Sequence, residues 1–344
     1  MRYVIVGAGA IGGVLGARLA QHVPDHPPLF IARGDHGAAL MNTGIRLRTP
    51  SEDVRLTVAV ASGPADVKLL ADDVLVLAVK TQQAAVALAE WVDQPVFTQD
   101  GADGAEPVGT AGEHLPILIA MNGVETERLA LRLFRRVFGV CVWLPAVHLT
   151  PGEVILRIGP KSGIFIIGRV GLEADDGDRN LLSSIEDDWT RATFGIHLVD
   201  DVMRWKYNKL LSNLANGLDA MLGPDEDFSD AARRLRTEAE LIFRETGVEW
   251  ASEMEEADWR GDLYTIKRVP GAPEHLGGSS WQSLARGAGS IETDYLNGEI
   301  VLIARQHGLD APLNAVVQRL AREHAVKPAG ARSMTLAELE AVLG

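Results

Sequence analysis

The sequence predicts two domains, a doubly wound α/β sheet over residues 1–198 and an all-α domain over 199–344. Three observations lead there. Short continuous apolar runs alternate with helical stretches in the first half, as in a parallel sheet buried on both faces. The first of these runs ends in a glycine-rich turn. Near Val199, after a last strand over 193–199, strand-like runs give way to helical periodicity. A length of 344 residues agrees, because single cores seldom grow past roughly 250–300 residues.

Residues 3–6 read as a buried strand, 10–22 as a helix and 27–32 as a second strand. Further buried strands are expected over 73–79 and 115–121, with helices near 83–93 and 124–136. The stretch 45–60 reads as an antiparallel hairpin turning at 50–53. Residues 140–149 are expected to pair with 153–167 about Thr150-Pro151-Gly152. Residues 96–114, rich in Gly, Asp and Glu and without periodicity, read as a long loop. The second domain carries helices over 200–222, 227–247, 281–307, 311–326 and 335–343, interrupted by 262–280 with Pro270 and Pro273. The long ranges 200–222 and 281–307 could build the face of a homodimer.

Composition narrows the function. Apolar residues make up 47% of the chain and charged residues 23%, which excludes a disordered or fibrous protein. A net charge of -14 disfavours nucleic acid and anionic membrane as partners, so an anionic ligand would need a local cationic island. The one cysteine, Cys141, permits no intramolecular disulfide and no cysteine-based zinc cluster, and the nine histidines show no ligand spacing. No metal is expected. Glycines between Gly7 and Gly16 spoil the start as a signal-peptide core, and no stretch reaches ~18 apolar residues. The reading is a soluble cytoplasmic protein.

Gly7-Ala8-Gly9-Ala10-Ile11-Gly12 is a GxGxxG motif with a strand before it and a helix after it. Gly7 permits the tight turn, Gly9 lets backbone approach a pyrophosphate, and Gly12 lets helix pack on strand. The helix start then offers N–H groups and a positive dipole end to the anion. This context makes the first domain a Rossmann-type dinucleotide-binding domain. Where NAD or FAD proteins place an acidic residue after the second strand, this chain has Arg33, suited to a ribose 2′-phosphate and hence to NADP. Asp35 stands close enough to supply a carboxylate instead. Lys80 and Asn122 follow buried strands at the carboxyl ends where open sheets bind ligands, although Asn122-Gly123 also reads as a plain turn.

In the helical domain, Lys209, Asn213 and Asn216 stand at i, i+4 and i+7, a narrow polar stripe on an otherwise apolar helix. Such a stripe faces either a wet cleft or plain solvent. Glu292 and Tyr295 share a face of a later helix, where a lone glutamate is ordinarily solvated. Ser279 or Ser280 reads as the N-cap of that helix and could also meet a carboxylate.

These pieces together resemble the ketopantoate reductases, the NADPH-dependent 2-dehydropantoate 2-reductases. The likeness covers nearly the whole chain: GAGAIGG, Arg33, VLAVK ending at Lys80, MNG at Asn122, KLLSN from Lys209 to Asn213, SSWQ at 279–282 and IETDYLNGEI with Glu292. It implies that Lys209 is the general acid and that Asn213 holds substrate beside it. It further implies that Glu292 orients the nicotinamide ribose and a substrate hydroxyl, that Ser280 contacts the substrate carboxylate, and that Lys80 and Asn122 line the cofactor side. Asn216 matches more loosely. Two departures bear on substrate identity. Trp143 stands in a strand where the family carries threonines and small residues, and Ser283-Leu284 replaces the usual aspartate before Glu292.

The expected reaction is NADPH-dependent reduction of a small 2-oxo acid, ketopantoate to pantoate, by hydride transfer from nicotinamide C4. Lys209 would protonate the developing alkoxide. Two alternatives stand beside it: a related dehydrogenase acting on another oxo acid, an imine or a polyol phosphate, and a non-catalytic NADP-binding sensor.

Overall fold

The computed structural model describes residues 1–98, 105–222, 226–273, 278–285, 291–326 and 332–344. The chain forms two compact units, one of Met1–Asn122, Thr126–Trp205 and Met254–Ala272, the other of Gly123–Glu125, Lys206–Glu253 and Pro273–Gly344. The segment Met254–Ala272 thus belongs with the sheet, and its strand Tyr264–Ile266 pairs antiparallel with Ile158–Pro160.

Among the described residues the first unit carries a sheet of eight strands. Their spatial order is Gly195–Leu198, Ile164–Arg169, Arg136–Trp143, Pro116–Ile119, Asp73–Leu77, Arg2–Val6, Leu29–Ile31 and Ala59–Ala61. All neighbours are parallel except Arg136–Trp143 with Ile164–Arg169. The continuous apolar runs have the physical cause expected of them. Tyr3, Ile5, Val74 and Val76 point into one core, while Val4, Val6, Leu75 and Leu77 point into another on the opposite face. The helices of this half are α1 (Ala10–His22), α2 (Gly34–Thr43), α3 (Thr81–Val92), α4 (Ala111–His114), α5 (Glu125–Leu131) and α6 (Asp176–Arg191).

Several local expectations need correction. Ile45–Arg48 and Asp53–Leu56 do form a hairpin, whose turn is tied by Ser51 and Glu52 N–H groups donating to Thr49 Oγ1. Ala59–Ala61, however, leaves it to become an edge of the large sheet. About Thr150–Gly152 the expected antiparallel pairing holds, in two ladders: Ala146–Val147 pairs with Ile155–Leu156, and Val140–Trp143 pairs with Ile164–Ile167. Residues 96–114 are not one loop: Pro95–Phe97 pairs with Gly109–Thr110 and α4 follows, with 99–104 outside the described residues.

The rest of the chain is helical: α7 (Val202–Asn213), α8 (Asn216–Leu222), α9 (Ser229–Thr246), α10 (Glu253–Arg260), α11 (Ser279–Ala285), α12 (Asn297–Gln306), α13 (Pro312–Val326) and α14 (Leu336–Leu343). Neither range named for a dimer face is a single helix. The range 200–222 breaks between α7 and α8, where the Leu214 carbonyl accepts from Asn297 Nδ2 at 3.1 Å. In 281–307, with 286–290 outside the described residues, a 3₁₀ turn over Glu292–Tyr295 separates α11 from α12.

Candidate functional site

In the first unit the strand Arg2–Val6 passes into α1 through the glycine turn. Gly7 has φ +102°, and a Cβ there would lie 2.8 Å from the Ala78 carbonyl oxygen, so both conformation and space demand glycine. A Cβ on Gly12 would lie 2.2 Å from Gly7 O, which ties the first turn of α1 to the loop. Gly9 is the N-cap of α1; it supplies no side-chain cap, and a Cβ there would meet nothing within 4 Å. The N–H groups of Ala10 and Ile11 therefore begin a helix whose positive end has open space in front of it. A pyrophosphate fits that space and that polarity.

The turn opens on a cleft of about 400 Å³, whose lining includes Gly7, Ala8, Arg33, His36, Gln83 and Glu90. His36 joins its parts. Its Nδ1 accepts from Gly152 N–H at 2.9 Å, leaving Nε2–H to donate to the Ala8 carbonyl at 2.8 Å. Burial pushes the His36 pKa down, in keeping with that neutral tautomer. Arg33, the N-cap residue of α2, lies at the cleft as expected. Its Nε donates to Ser62 O at 3.0 Å and its Nη2 to Glu90 Oε2 at 2.6 Å, and the Glu90 bond raises the guanidinium pKa further. Asp35, in the first turn of α2, is not among the lining residues, and neither is Lys80. Lys80 is the N-cap residue of α3, whose next residues Gln82 and Gln83 do line the cleft. Asn122 follows Pro116–Ile119 and is half-buried, while Gly123 at φ +75° bears out a turn there.

In the second unit Lys209 and Asn213 lie one turn apart near the end of α7. Asn216 starts α8, so the three-residue stripe is not carried by one continuous helix. The break is made by buried amides. Asn297 Nδ2 donates to Leu214 O and to Asn314 Oδ1 at 3.0 Å, and Asn314 Nδ2 donates to Leu235 O and to the Glu238 carboxylate. Leu210, Leu211, Leu214 and Leu218 are buried around it.

Glu292 opens the 3₁₀ turn instead of riding a long helix, and it is 4% exposed, against the solvated position expected of a lone glutamate. Ser280 is not an N-cap either, because α11 begins one residue earlier. The preceding Gly278 N–H donates to Asp219 Oδ2 at 2.9 Å, and a Cβ on Gly278 would meet that same oxygen. Ser280 is 1% exposed, and its Oγ has no hydrogen-bond partner among the described residues. Asn213 is 5% exposed. Among the described residues no group of three or more His, Cys, Asp or Glu is placed to hold a metal, and no helix is long and apolar enough to cross a membrane.

Glu90, His36 and Asn297 are the residues that the sequence reading missed. Glu90 had a signal: Gln83, Val86, Ala87 and Glu90 recur at helical spacing on α3, and all line the cleft.

The sheet, the glycine turn and the strand-end arginine define a Rossmann-type dinucleotide-binding unit, joined in this chain to a helical one. Comparison with known proteins takes this further. The family model described as ketopantoate reductase PanE/ApbA matches residues 3–170, and its C-terminal counterpart matches 201–325. The chain belongs to this ketopantoate reductase family. Relatives include the 2-dehydropantoate 2-reductase of Mesorhizobium japonicum, 27% identical over 95% of this chain and 98% of that protein. That of Pyrococcus horikoshii is 25% identical over 94% and 97%. A solved ketopantoate reductase of Ralstonia eutropha is 26% identical with a TM-score of 0.70, over 94% of this chain and 98% of the other. D-mandelate dehydrogenase, solved with NADH and anilino(oxo)acetate, is 19% identical with a TM-score of 0.72 over 94% and 98%, and shares the fold.

Proposed function

We propose that this chain is an NADPH-dependent reductase of a 2-oxo acid and that ketopantoate, reduced to pantoate, is its substrate. One observation carries the reading beyond family membership. Lys209, Asn213, Ser280 and Glu292, the side chains that the family resemblance singles out, fall in one helical unit, and the last three are buried there. Ser280 Oγ is buried without a hydrogen-bond partner among the described residues, and a substrate carboxylate would supply the missing match.

A nicotinamide dinucleotide held at the glycine turn would supply hydride to the substrate's C2 carbonyl. What the chain adds is polar stabilisation and position. The Gly7–Gly12 turn with the α1 N-terminus would hold the pyrophosphate, and Arg33 the 2′-phosphate. Lys209 as ammonium would stabilise the negative charge that develops on the carbonyl oxygen and then protonate it. Asn213, one turn on, would keep that oxygen oriented without adding charge. The unmatched Ser280 Oγ would donate to the substrate carboxylate, and Glu292 would accept from a ribose or substrate hydroxyl. In the sheet unit Lys80 and Asn122 would line the cofactor side, and in the helical unit Asn216 would lie on the substrate side.

The test is the rate of NADPH oxidation with ketopantoate, for the wild type and Lys209→Ala. The variant is expected to lose about 10²–10⁴ in kcat while NADPH affinity stays within about twofold. A loss of less than about tenfold would remove Lys209 as general acid.

A second reading, reduction of a different 2-oxo acid, has its own observation. Trp143 ends the strand Arg136–Trp143 with the Arg260 guanidinium, itself paired with Glu256, 5.9 Å from its ring centroid, a bulky corner in place of small residues. A panel of branched and aryl 2-oxo acids separates the two. A kcat/KM for any of them above that for ketopantoate would select the second.

A further inference from the structure

The cleft around the glycine turn has an electrostatic peculiarity. In a chain of net charge -14, a dianionic ligand calls for local positive charge. The titratable residues lining this cleft are Arg33, His36 and Glu90. His36 is held neutral by accepting from Gly152 N–H, so Arg33 and Glu90 leave the lining with no net formal charge. Arg33 cannot swing clear of Glu90 without cost, since its Nε is tied to Ser62 O behind it. Glu90 sits on α3 beside buried Ala87 and Trp91, which pin that helix to the sheet. The acidic group that sequence reasoning sought after the second strand, at Asp35, is therefore delivered from a different helix to the same arginine.

We propose that Glu90 sets the nucleotide preference of this cleft. Its carboxylate competes with a ribose 2′-phosphate for Arg33 and repels that dianion. The same carboxylate accepts a hydrogen bond from a ribose 2′-hydroxyl. The chain consequently uses NADH as well as NADPH, with a smaller preference than Arg33 alone would give. The inference rests on the reading of the cleft as a nicotinamide-dinucleotide site.

The Arg33–Glu90 pair is a weak obstacle by itself, as its side chains are 59% and 34% exposed and such pairs are screened. The repulsion is the larger effect. A phosphate monoester carries about -1.5 to -2 charges at neutral pH. One carboxylate a few ångströms away in a largely aqueous dielectric changes its affinity by about tenfold.

The experiment is fluorescence titration of the full-length protein with NADPH and with NADH, at low and moderate salt, for wild type, Glu90→Gln and Arg33→Ala. Thermal melts confirm that each variant is folded. Glu90→Gln keeps the hydrogen bond to Arg33 and removes the charge. It is expected to lower the NADPH Kd by about five- to tenfold, most at low salt, and to leave the NADH Kd unchanged or higher. Arg33→Ala should weaken NADPH and spare NADH. If Glu90→Gln shifts both nucleotides by the same factor, or neither by more than twofold, the role of Glu90 is overturned while the cleft keeps its nucleotide. If the wild type binds neither nucleotide, the reading of the cleft falls with it.

Discussion

Asn297→Ala tests how the candidate catalytic helix is ended. Asn297 is fully buried on α12, and its amide is the donor to Leu214 O at 3.1 Å and to Asn314 Oδ1 at 3.0 Å. Alanine leaves both acceptors stranded in an apolar interior, at about 1–3 kcal/mol each. Part of this is returned, because Asn297 Oδ1 has no partner among the described residues and its desolvation is relieved. The net is about 2–4 kcal/mol. At about 2–4 °C per kcal/mol for domains of 150–250 residues, the melting temperature should fall by roughly 4–16 °C. Leu214 follows directly on Asn213, so a freed carbonyl also loosens the end of α7 that carries Lys209. On the proposed function, kcat should fall about tenfold while NADPH affinity stays within about twofold. Circular dichroism melts and steady-state rates measure the two effects. Arg319→Ala is the control, since it breaks only the exposed i,i+4 pair with Glu323, worth about 0.3–0.5 kcal/mol. An Asn297→Ala protein that melts within 2 °C of the control would refute the argument.

Three further outcomes follow from the same structure. Gly12→Ala places a Cβ 2.2 Å from Gly7 O and 2.9 Å from Ile5 Cγ2, so the turn must shift. NADPH affinity should drop tenfold or more with about 1–3 kcal/mol of stability, and an unchanged Kd would show that the turn does not hold the nucleotide. His36 has a folded-state pKa below its ordinary value because burial disfavours the charged ring. Its contribution is therefore complete above the unfolded value of about 6.5 and is lost as pH falls through the folded value, where the unfolded chain binds the extra proton. Melts between pH 7.5 and 5 should show a drop that His36→Gln reduces; equal slopes would count against it. Ser280→Ala removes an unpartnered buried hydroxyl, so stability should hold or rise slightly while KM for the 2-oxo acid rises about fivefold or more. A melting loss without any KM change would make Ser280 purely structural.

Much of the first unit was legible from local pattern alone. Helix α1 spans Ala10–His22, the range expected, because apolar spacing and a glycine N-terminus are properties of adjacent residues. The buried strands were legible for a similar reason: a strand covered on both faces must be apolar at every position, whatever its neighbours are. Lys209, Asn213 and Glu292 were legible as residue types in a pattern, but their surroundings were not. Glu292 was expected on a solvated helix face and lies buried in a 3₁₀ turn.

The sequence by itself determined the alternation of buried strands and helices, the turn at Gly7–Gly12 and the change to helix near residue 199, all consequences of spacing between near neighbours. Only the tertiary structure decided which strands pair, where the long helices break and which carboxylate meets Arg33. Ala59–Ala61 leaves the neighbouring hairpin for the edge of the large sheet, α7 stops at an amide 83 residues away, and Arg33 meets a glutamate 57 residues away. Those outcomes depend on backbone and side-chain polar groups meeting partners far along the chain, and the spacing of near neighbours carries no record of such pairs.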